Sequence, residues 1–217
     1  KNTVRCGEET YEGENLILCT GSETFIPPIP GVETVNYWTH RDALDNKELP
    51  ASLAIVGGGV IGMEFASFFN SLGVQVTVVE MLDEILGGMD KELSALLRAE
   101  YAKRGIKFLL STKVVGLSQT EEGAVVSYEN AEGNGSVIAE KLLMSVGRRP
   151  VTKGFGLENL NLEKTERGAV KVDEKMQTTV PGLYAAGDCT GGLLQVAKAV
   201  YEGALAGTEA AKALRKG

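Results

Sequence analysis

The most regular pattern of apolar and polar positions lies in the segment that follows Pro50. Residues 53–56 and 74–79 are two apolar runs, and each predicts a strand. The segment between them, to about Leu72, has a helical pattern. The chain therefore contains a predicted strand–helix–strand unit, and the second strand ends at Glu80.

The rest of the chain alternates short strands with helices. The patterns predict a hairpin within residues 1–13 and a helix that begins after Asp90, which can cap it, and stops at Gly105. The other predicted helices cover residues 38–44 and about 194–214. The predicted strands cover residues 15–20, 106–110, 141–146, 169–172 and 183–186, together with a meander of residues 113–117, 124–129 and 136–139.

The turn between the first apolar run and its helix carries the glycines of a dinucleotide fingerprint. Gly57, Gly59 and Gly62 have G-x-G-x-x-G spacing. The first permits a tight turn, the second lets a pyrophosphate approach the backbone, and the third lets the helix pack closely on the sheet. The amides and the positive dipole end of the following helix would then face the phosphates.

Glu80 lies 18 residues after Gly62, near the position of a ribose-binding acid in such units. Its carboxylate would accept hydrogen bonds from the ribose hydroxyls of the adenosine. It would also repel a 2′-phosphate, so the sequence predicts NAD rather than NADP.

Composition narrows the range of partners. The chain of 217 residues is 43% hydrophobic and 24% charged, with a net charge of −7, which makes nucleic acid or an anionic membrane an unexpected partner. No apolar stretch reaches the about 18 residues of a membrane span. Cys6, Cys19 and Cys189 are scattered, which argues against a disulfide framework and for a cytoplasmic origin. With His40 as the one histidine, neither a zinc site nor a catalytic triad can be assembled.

Five segments in order give the chain a family resemblance. Two belong to the dinucleotide unit, GGGVIGMEF (57–65) and VVEMLDEIL (78–86). The others are LCTGS (18–22), SVGRRPVT (145–152) and MQTTVPGLYAAGD (176–188). Together they resemble the flavin-dependent pyridine nucleotide–disulfide oxidoreductases, in particular the lipoamide-type branch. The resemblance covers nearly the whole chain.

The resemblance implies an α/β fold of Rossmann-like FAD/NAD(P)-binding domains, with a parallel sheet and a β-meander crossover. It implies a partial FAD-binding domain in residues 1–49, a complete inserted NAD-binding domain in 50–146, and a return to the FAD-binding domain in 147–217.

The resemblance also implies two sets of cofactor-binding residues. On the NAD side, Glu80 matches the ribose-binding acid, Val114 an adenine-pocket residue and Gly147 a nicotinamide-side glycine. The matching phosphate loop and helix start consist of Gly57, Gly58, Gly59, Val60, Ile61, Gly62, Met63 and Glu64.

On the FAD side, Asp188 matches the acid that binds the ribitol hydroxyls. The crossing point near the flavin and the helix start at the flavin ring match Thr20, Gly21, Ser22, Leu194, Gln195, Val196 and Ala197. Two readings stay open for Arg148 and Arg149, which either brace the domain junction or are simply solvated.

Two parts of the family pattern do not occur in this sequence. They are the N-terminal FAD unit with its C-x4-C redox disulfide and the C-terminal dimerisation domain with its acid–base pair. We therefore expect an internal fragment without catalytic residues, which binds NAD(H) but binds FAD poorly and lacks reductase activity. The resemblance implies a homodimeric parent enzyme within a 2-oxo acid dehydrogenase complex.

In that parent, hydride would pass between NAD(H), FAD and the disulfide, with the cofactors carrying the chemistry. Two alternatives stay open. One is another flavoprotein of the superfamily, such as an NADH oxidase or a ferredoxin or rubredoxin reductase. The other is a non-enzymatic NAD-sensing module, which would not need flavin-binding residues such as Asp188.

Overall fold

The computed structural model describes residues 2–215 and has an α/β architecture with fourteen strands and four α-helices in that range. The helices are α1 (His40–Asp45), α2 (Val60–Ser71), α3 (Lys91–Lys103) and α4 (Val196–Leu214). The first seven strands are β1 (Asn2–Cys6), β2 (Glu9–Gly13), β3 (Leu16–Leu18), β4 (Ser22–Thr24), β5 (Tyr37–Trp38), β6 (Ser52–Val56) and β7 (Gln75–Val79). The last seven are β8 (Lys107–Leu109), β9 (Lys113–Thr120), β10 (Gly123–Asn130), β11 (Gly133–Ala139), β12 (Lys141–Met144), β13 (Arg148–Pro150) and β14 (Leu183–Ala185).

The chain divides into two compact units. The central unit runs from Thr24 to Gly147, and the outer unit consists of the described residues up to Glu23 and from Arg148 onward. These borders lie near residues 23 and 147, whereas the family resemblance predicts domain borders near residues 49 and 146. The assignment of each part to one cofactor stays a prediction.

The central unit is built on a parallel five-stranded sheet with the order β5-β12-β6-β7-β8. Leu53 and Ile55 of β6 pack on the side of α2, while Ala54 and Val56 pack toward the antiparallel meander β9–β11. Because both faces are covered, the strand can be apolar at every position. This is the physical reason that its sequence shows a continuous run rather than an alternation.

The outer unit contains the hairpin of β1 and β2 and a parallel pair of β3 and β14. Tyr184 and Ala186 pack with Ala206 and Ala210 of α4 in a small core. A 3-10 turn, Gly187–Thr190, follows β14 and ends the segment that carries Asp188. Within residues 2–215 no helix is long and apolar enough to span a membrane.

Two of the predicted elements need correction. The strand expected at residues 169–172 is absent, because Val170 and Val172 each form only an isolated bridge to a different segment. The helix expected from residue 194 begins at Val196, since the backbone of Gln195 is extended at φ −139° and ψ 149°. The α/β class, the central strand–helix–strand unit and the meander are confirmed.

Candidate functional site

The turn from β6 into α2 requires two of its glycines for its own packing. Gly57 has φ +108°, and a Cβ there would lie 2.3 Å from the carbonyl oxygen of Ser145. A Cβ on Gly62 would lie 2.2 Å from the carbonyl oxygen of Gly57. The first glycine therefore permits the turn against β12, and the second lets α2 approach that turn.

Gly59 differs from both neighbours in the motif. It is the N-cap of α2 with φ −72° and ψ −178°, a backbone conformation that any residue adopts. A Cβ at this position would meet no atom of the described protein within 4 Å. Neither backbone conformation nor internal packing explains the glycine, whereas the close approach of an external group would.

The first turn of α2 leaves backbone amides available beside Gly59. This N-cap provides no side-chain hydrogen bond, no acidic residue lies in the first turn, and Val60 is 51% exposed. The first amides of a helix lack intrahelical partners and carry the positive end of the dipole. The turn can therefore accept an anion that approaches over Gly59.

Glu80 lies at the end of β7 and reaches the glycine-rich turn. Its Oε2 accepts a hydrogen bond from the amide of Gly58, and its Oε1 accepts one from the amide of Leu82 at 2.7 Å. Two donors occupy only part of the acceptor capacity of a carboxylate. The side chain can thus accept further hydrogen bonds from hydroxyl groups beside the glycine-rich turn.

The remaining residues predicted on the NAD side, all within the described range, form no hydrogen bond with Glu80 and differ from one another in burial. Ile61 is half-buried and Met63 buried, so both belong to the packing of α2, while Glu64 is exposed on it. Val114, on β9, packs in the core between sheet and meander. Gly147 has φ +122°, so its backbone conformation alone favours glycine.

In the outer unit, Asp188 is joined to the predicted crossing segment. Ser22 Oγ donates to Asp188 Oδ2 at 2.5 Å and accepts from Arg148 Nε at 2.7 Å. Thr20 Oγ1 donates to the carbonyl oxygen of Val151 at 2.6 Å. These contacts gather the Thr20–Ser22 segment, with Gly21 at φ +73°, and Asp188 in one place.

The two arginines have different surroundings. Arg148 is half-buried, and its guanidinium also donates to the carbonyl oxygen of Ser22 at 2.6 Å, so it braces this segment. Arg149 is exposed and forms an ion pair with Glu23 at 2.8 Å. Both arginines therefore have partners within the outer unit, and whether either braces the domain junction stays a prediction.

The start of α4 presents exposed positions, in keeping with a ligand-facing helix end. Gln195, Val196 and Ala197 are exposed, Val196 to 80%, and Leu194 is half-buried. Because the helix begins at Val196, Leu194 and Gln195 belong to the approach to its first turn.

The sequence analysis missed a buried polar cluster behind Asp188. Glu202 is 8% exposed and accepts hydrogen bonds from the amide of Gly187 (2.9 Å), Thr190 Oγ1 (3.0 Å) and Lys198 Nζ (2.8 Å). The four-residue spacing of Lys198 and Glu202 on a helix was the available signal. An inward orientation could not be deduced from that spacing, since such pairs are usually solvated.

The comparisons with known proteins cover most of the chain. The family model described as pyridine nucleotide-disulphide oxidoreductase matches residues 1–203. Dihydrolipoyl dehydrogenase of Thermus scotoductus is 39% identical over 96% of this chain and 46% of its own length. The human mitochondrial dihydrolipoyl dehydrogenase is 38% identical over 91% of this chain and 40% of its own length. Since relatives include mitochondrial proteins, the cytoplasmic origin stays a prediction.

Solved structures show the same relationship. The HOCl-induced flavoprotein disulfide reductase RclA from Escherichia coli, as its Cu(II) complex, has a TM-score of 0.84 at 32% identity, over 92% of this chain and 46% of that one. LpdA from Mycobacterium tuberculosis has a TM-score of 0.82 at 32% identity, over 94% and 44%. The chain thus spans about half the length of its relatives, shares their Rossmann-like fold, and belongs to the pyridine nucleotide-disulphide oxidoreductase family.

Proposed function

We propose that this chain binds NAD(H) at the turn from β6 into α2, as the cofactor-binding part of a dihydrolipoamide dehydrogenase-like flavoprotein. The observation that carries the proposal is Gly59, which has open space where its Cβ would be and an ordinary backbone conformation. A pyrophosphate in that space would contact the backbone directly and would lie at the N-terminus of α2. The glycine is then required by the ligand rather than by the fold.

Glu80 supplies the second part of the site. Its carboxylate is held beside Gly58, where it can accept hydrogen bonds from the ribose hydroxyls of a dinucleotide seated on the turn. A 2′-phosphate would bring a second negative charge to the same place. The site therefore favours NADH over NADPH.

The outer unit offers residues that fit the ribityl chain of FAD. The Asp188 carboxylate accepts a hydrogen bond from Ser22, and a carboxylate can accept several more from polyol hydroxyls. Arg148 and Glu202 hold the two segments that meet there. We expect FAD to bind poorly to this chain alone, because no second phosphate-binding glycine turn occurs in its sequence.

For the longer parent protein of this chain, the activity proposed is hydride transfer between NAD(H), FAD and a redox disulfide. The nicotinamide and flavin supply that chemistry, and the residues of this chain bind and orient them. No catalytic residue is assigned here, so we expect the isolated chain to be without reductase activity. The proposed parent is a homodimer within a 2-oxo acid dehydrogenase complex.

The test is NADH binding to Gly59→Ala, followed by nicotinamide fluorescence. We expect affinity to fall at least about tenfold, which corresponds to 1.4 kcal/mol. The free energy of unfolding should fall by at most about 1 kcal/mol, as for alanine at an N-cap. Gly207→Ala is the matched control, because a Cβ there also meets no atom within 4 Å. Equal NADH affinity in the wild type and Gly59→Ala would contradict the proposal.

A further inference from the structure

We propose that Glu84 and Arg98 are positioning residues for the dinucleotide site. Through the loop between β7 and α3 (residues 81–89, here the β7–α3 loop), this pair sets the placement of Glu80 beside the glycine-rich turn. It thereby raises NADH affinity and supports the discrimination against NADPH. The inference rests on the proposed function and adds residues that do not themselves touch the nucleotide.

The pair joins the loop to α3 with a defined geometry. Arg98 Nε donates to Glu84 Oε1 at 2.7 Å, and Arg98 Nη2 donates to Glu84 Oε2 at 2.9 Å. The side chain of Glu84 is 13% exposed and that of Arg98 is 33% exposed. A bidentate pair shielded in this way holds both position and orientation, unlike a typical surface ion pair.

The next residues transmit this placement to the glycine-rich turn. Glu84 Oε1 also accepts from the amide of Ile85, whose side chain is 1% exposed in the core under α2. The amide of Leu86 donates to the carbonyl oxygen of Gly58 at 2.8 Å. Leu86 has φ +55°, a conformation disfavoured for a residue with a Cβ, so its surroundings must hold it there.

Glu80 is held between the glycine-rich turn and the β7–α3 loop. One carboxylate oxygen accepts from Gly58 in the turn, and the other accepts from Leu82 in the β7–α3 loop. Ser111 fixes Leu82 from the opposite side by donating its amide to the carbonyl oxygen of Leu82 at 2.8 Å. A displacement of the loop would therefore move two amides together: that of Leu82, which donates to Glu80, and that of Leu86, which donates to Gly58.

A second ion pair on the same loop provides an internal contrast. Lys91 of α3 pairs with Asp83 at 2.6 Å, but their side chains are 73% and 69% exposed. Exposed pairs of this kind contribute little to holding a segment in place. The two pairs join the same loop to the same helix, so they differ mainly in burial and in bidentate geometry.

The experiment measures the dissociation constants of NADH and NADPH for the purified chain and for Arg98→Met, Glu84→Gln and Lys91→Met. We expect Arg98→Met to weaken NADH binding about fivefold, within the range of residues that act through others. The ratio of the NADPH to the NADH dissociation constant should fall as well. Glu84→Gln should change both quantities in the same direction by less, and Lys91→Met should leave both unchanged.

The double variant Glu84→Gln/Arg98→Met separates a pair from two independent sites. Its loss of NADH affinity should be smaller than the product of the two single losses, because the side chains act on one contact. The thermal unfolding transition of each variant is measured to confirm that the protein is folded at the temperature of the binding experiment. Glu84→Gln keeps the oxygen that accepts from the amide of Ile85, so it tests the positioning role even if Arg98→Met fails to fold.

The outcomes for the inference and for the proposed function can be told apart. If the wild type binds no NADH, the proposed function fails. If the wild type binds NADH but folded Arg98→Met and Glu84→Gln bind both nucleotides as the wild type does, the positioning role is overturned. A lower unfolding temperature with unchanged dissociation constants would likewise show a purely structural brace and overturn it.

Discussion

Gly57, Gly59 and Gly62 share one motif but are required for three different physical reasons. Gly57 needs a positive φ and a close approach to Ser145, and Gly62 needs a close approach to Gly57. Gly59 has neither requirement within the protein. Spacing alone predicted all three roles, and the structure separates the two glycines that the turn itself requires from Gly59, where a Cβ would meet no protein atom.

Gly62→Ala should lower the stability of the fold more than Gly59→Ala does. The added Cβ would lie 2.2 Å from the carbonyl oxygen of Gly57, so the helix or the turn must shift. Such overpacking lowers the free energy of unfolding by about 1–3 kcal/mol. The higher helix propensity of alanine, worth about 1 kcal/mol over glycine, offsets only part of this loss. Urea unfolding measures the difference. Equal free energies of unfolding for the two variants would contradict this account of the motif.

Glu80→Gln should reduce the preference for NADH. Glutamine keeps one acceptor oxygen and removes the negative charge that opposes a 2′-phosphate, although its NH2 group replaces the other oxygen, which accepts a hydrogen bond from a backbone amide. We expect the ratio of the NADPH to the NADH dissociation constant to fall about tenfold, or 1.4 kcal/mol. Glu64→Gln is the control, since Glu64 is an exposed carboxylate on the neighbouring helix. An unchanged ratio of dissociation constants in Glu80→Gln would show that this carboxylate does not select between NADH and NADPH.

At the scale of elements, the sequence predicts best where burial is continuous. The continuous apolar run of β6 predicts a parallel strand because both of its faces are covered, whereas the run of β7 is interrupted by the exposed Gln75 and the half-buried Thr77. The sequence-based prediction is wrong at residues 169–172. Their alternating pattern is typical of a strand, but no continuous strand lies beside them to pair with. The β7–α3 loop was predictable only as a loop, because its shape depends on the partners of Glu84 and Leu86 in other elements.

The contribution of Glu84 to stability should depend on pH. The Arg98 guanidinium that hydrogen-bonds Glu84 lowers the pKa of this carboxyl in the folded state. The stabilisation is therefore fully present above the unfolded pKa, about 4.3, and is lost as pH falls through the lower folded value. The wild type should be more stable than Glu84→Gln at pH 7, with a gap that narrows below about pH 4.3.

Urea unfolding of both proteins at several pH values measures this gap. Asp83 and Glu100, whose pKa values are also lowered by lysine partners, are present in both proteins and cancel in the comparison. A gap that stays constant or widens on acidification would contradict the assigned cause of the shift.

At the scale of the whole molecule, each compact unit carries one group of predicted cofactor residues. The glycine-rich turn and Glu80 lie in the central unit, and Ser22, Arg148 and Asp188 lie in the outer unit. The sequence predicted the first group from its glycine spacing and the position of Glu80, and the second group through the family resemblance. It could not predict the buried Glu202 that holds the Asp188 turn, because burial of a helical charge depends on tertiary packing.

NADH should protect the two units differently from hydrogen exchange. Binding should slow exchange in the first turn of α2 and in the β7–α3 loop, since the ligand stabilises only states that bind it. The segment around Asp188 should exchange at an unchanged rate, because its residues belong to the flavin group in this account. Exchange measured by mass spectrometry with and without NADH tests this. Protection confined to the outer unit would contradict the assignment.

The most direct test of the central claim is a fluorescence titration of the purified wild-type chain with NADH and with NADPH. A visible spectrum recorded beforehand establishes whether flavin accompanies the protein. We expect saturable binding of NADH and clearly weaker binding of NADPH, without a requirement for flavin. Absence of NADH binding, or NADPH binding of equal or greater strength, would contradict the assignment of Gly59 and Glu80 to an NAD site.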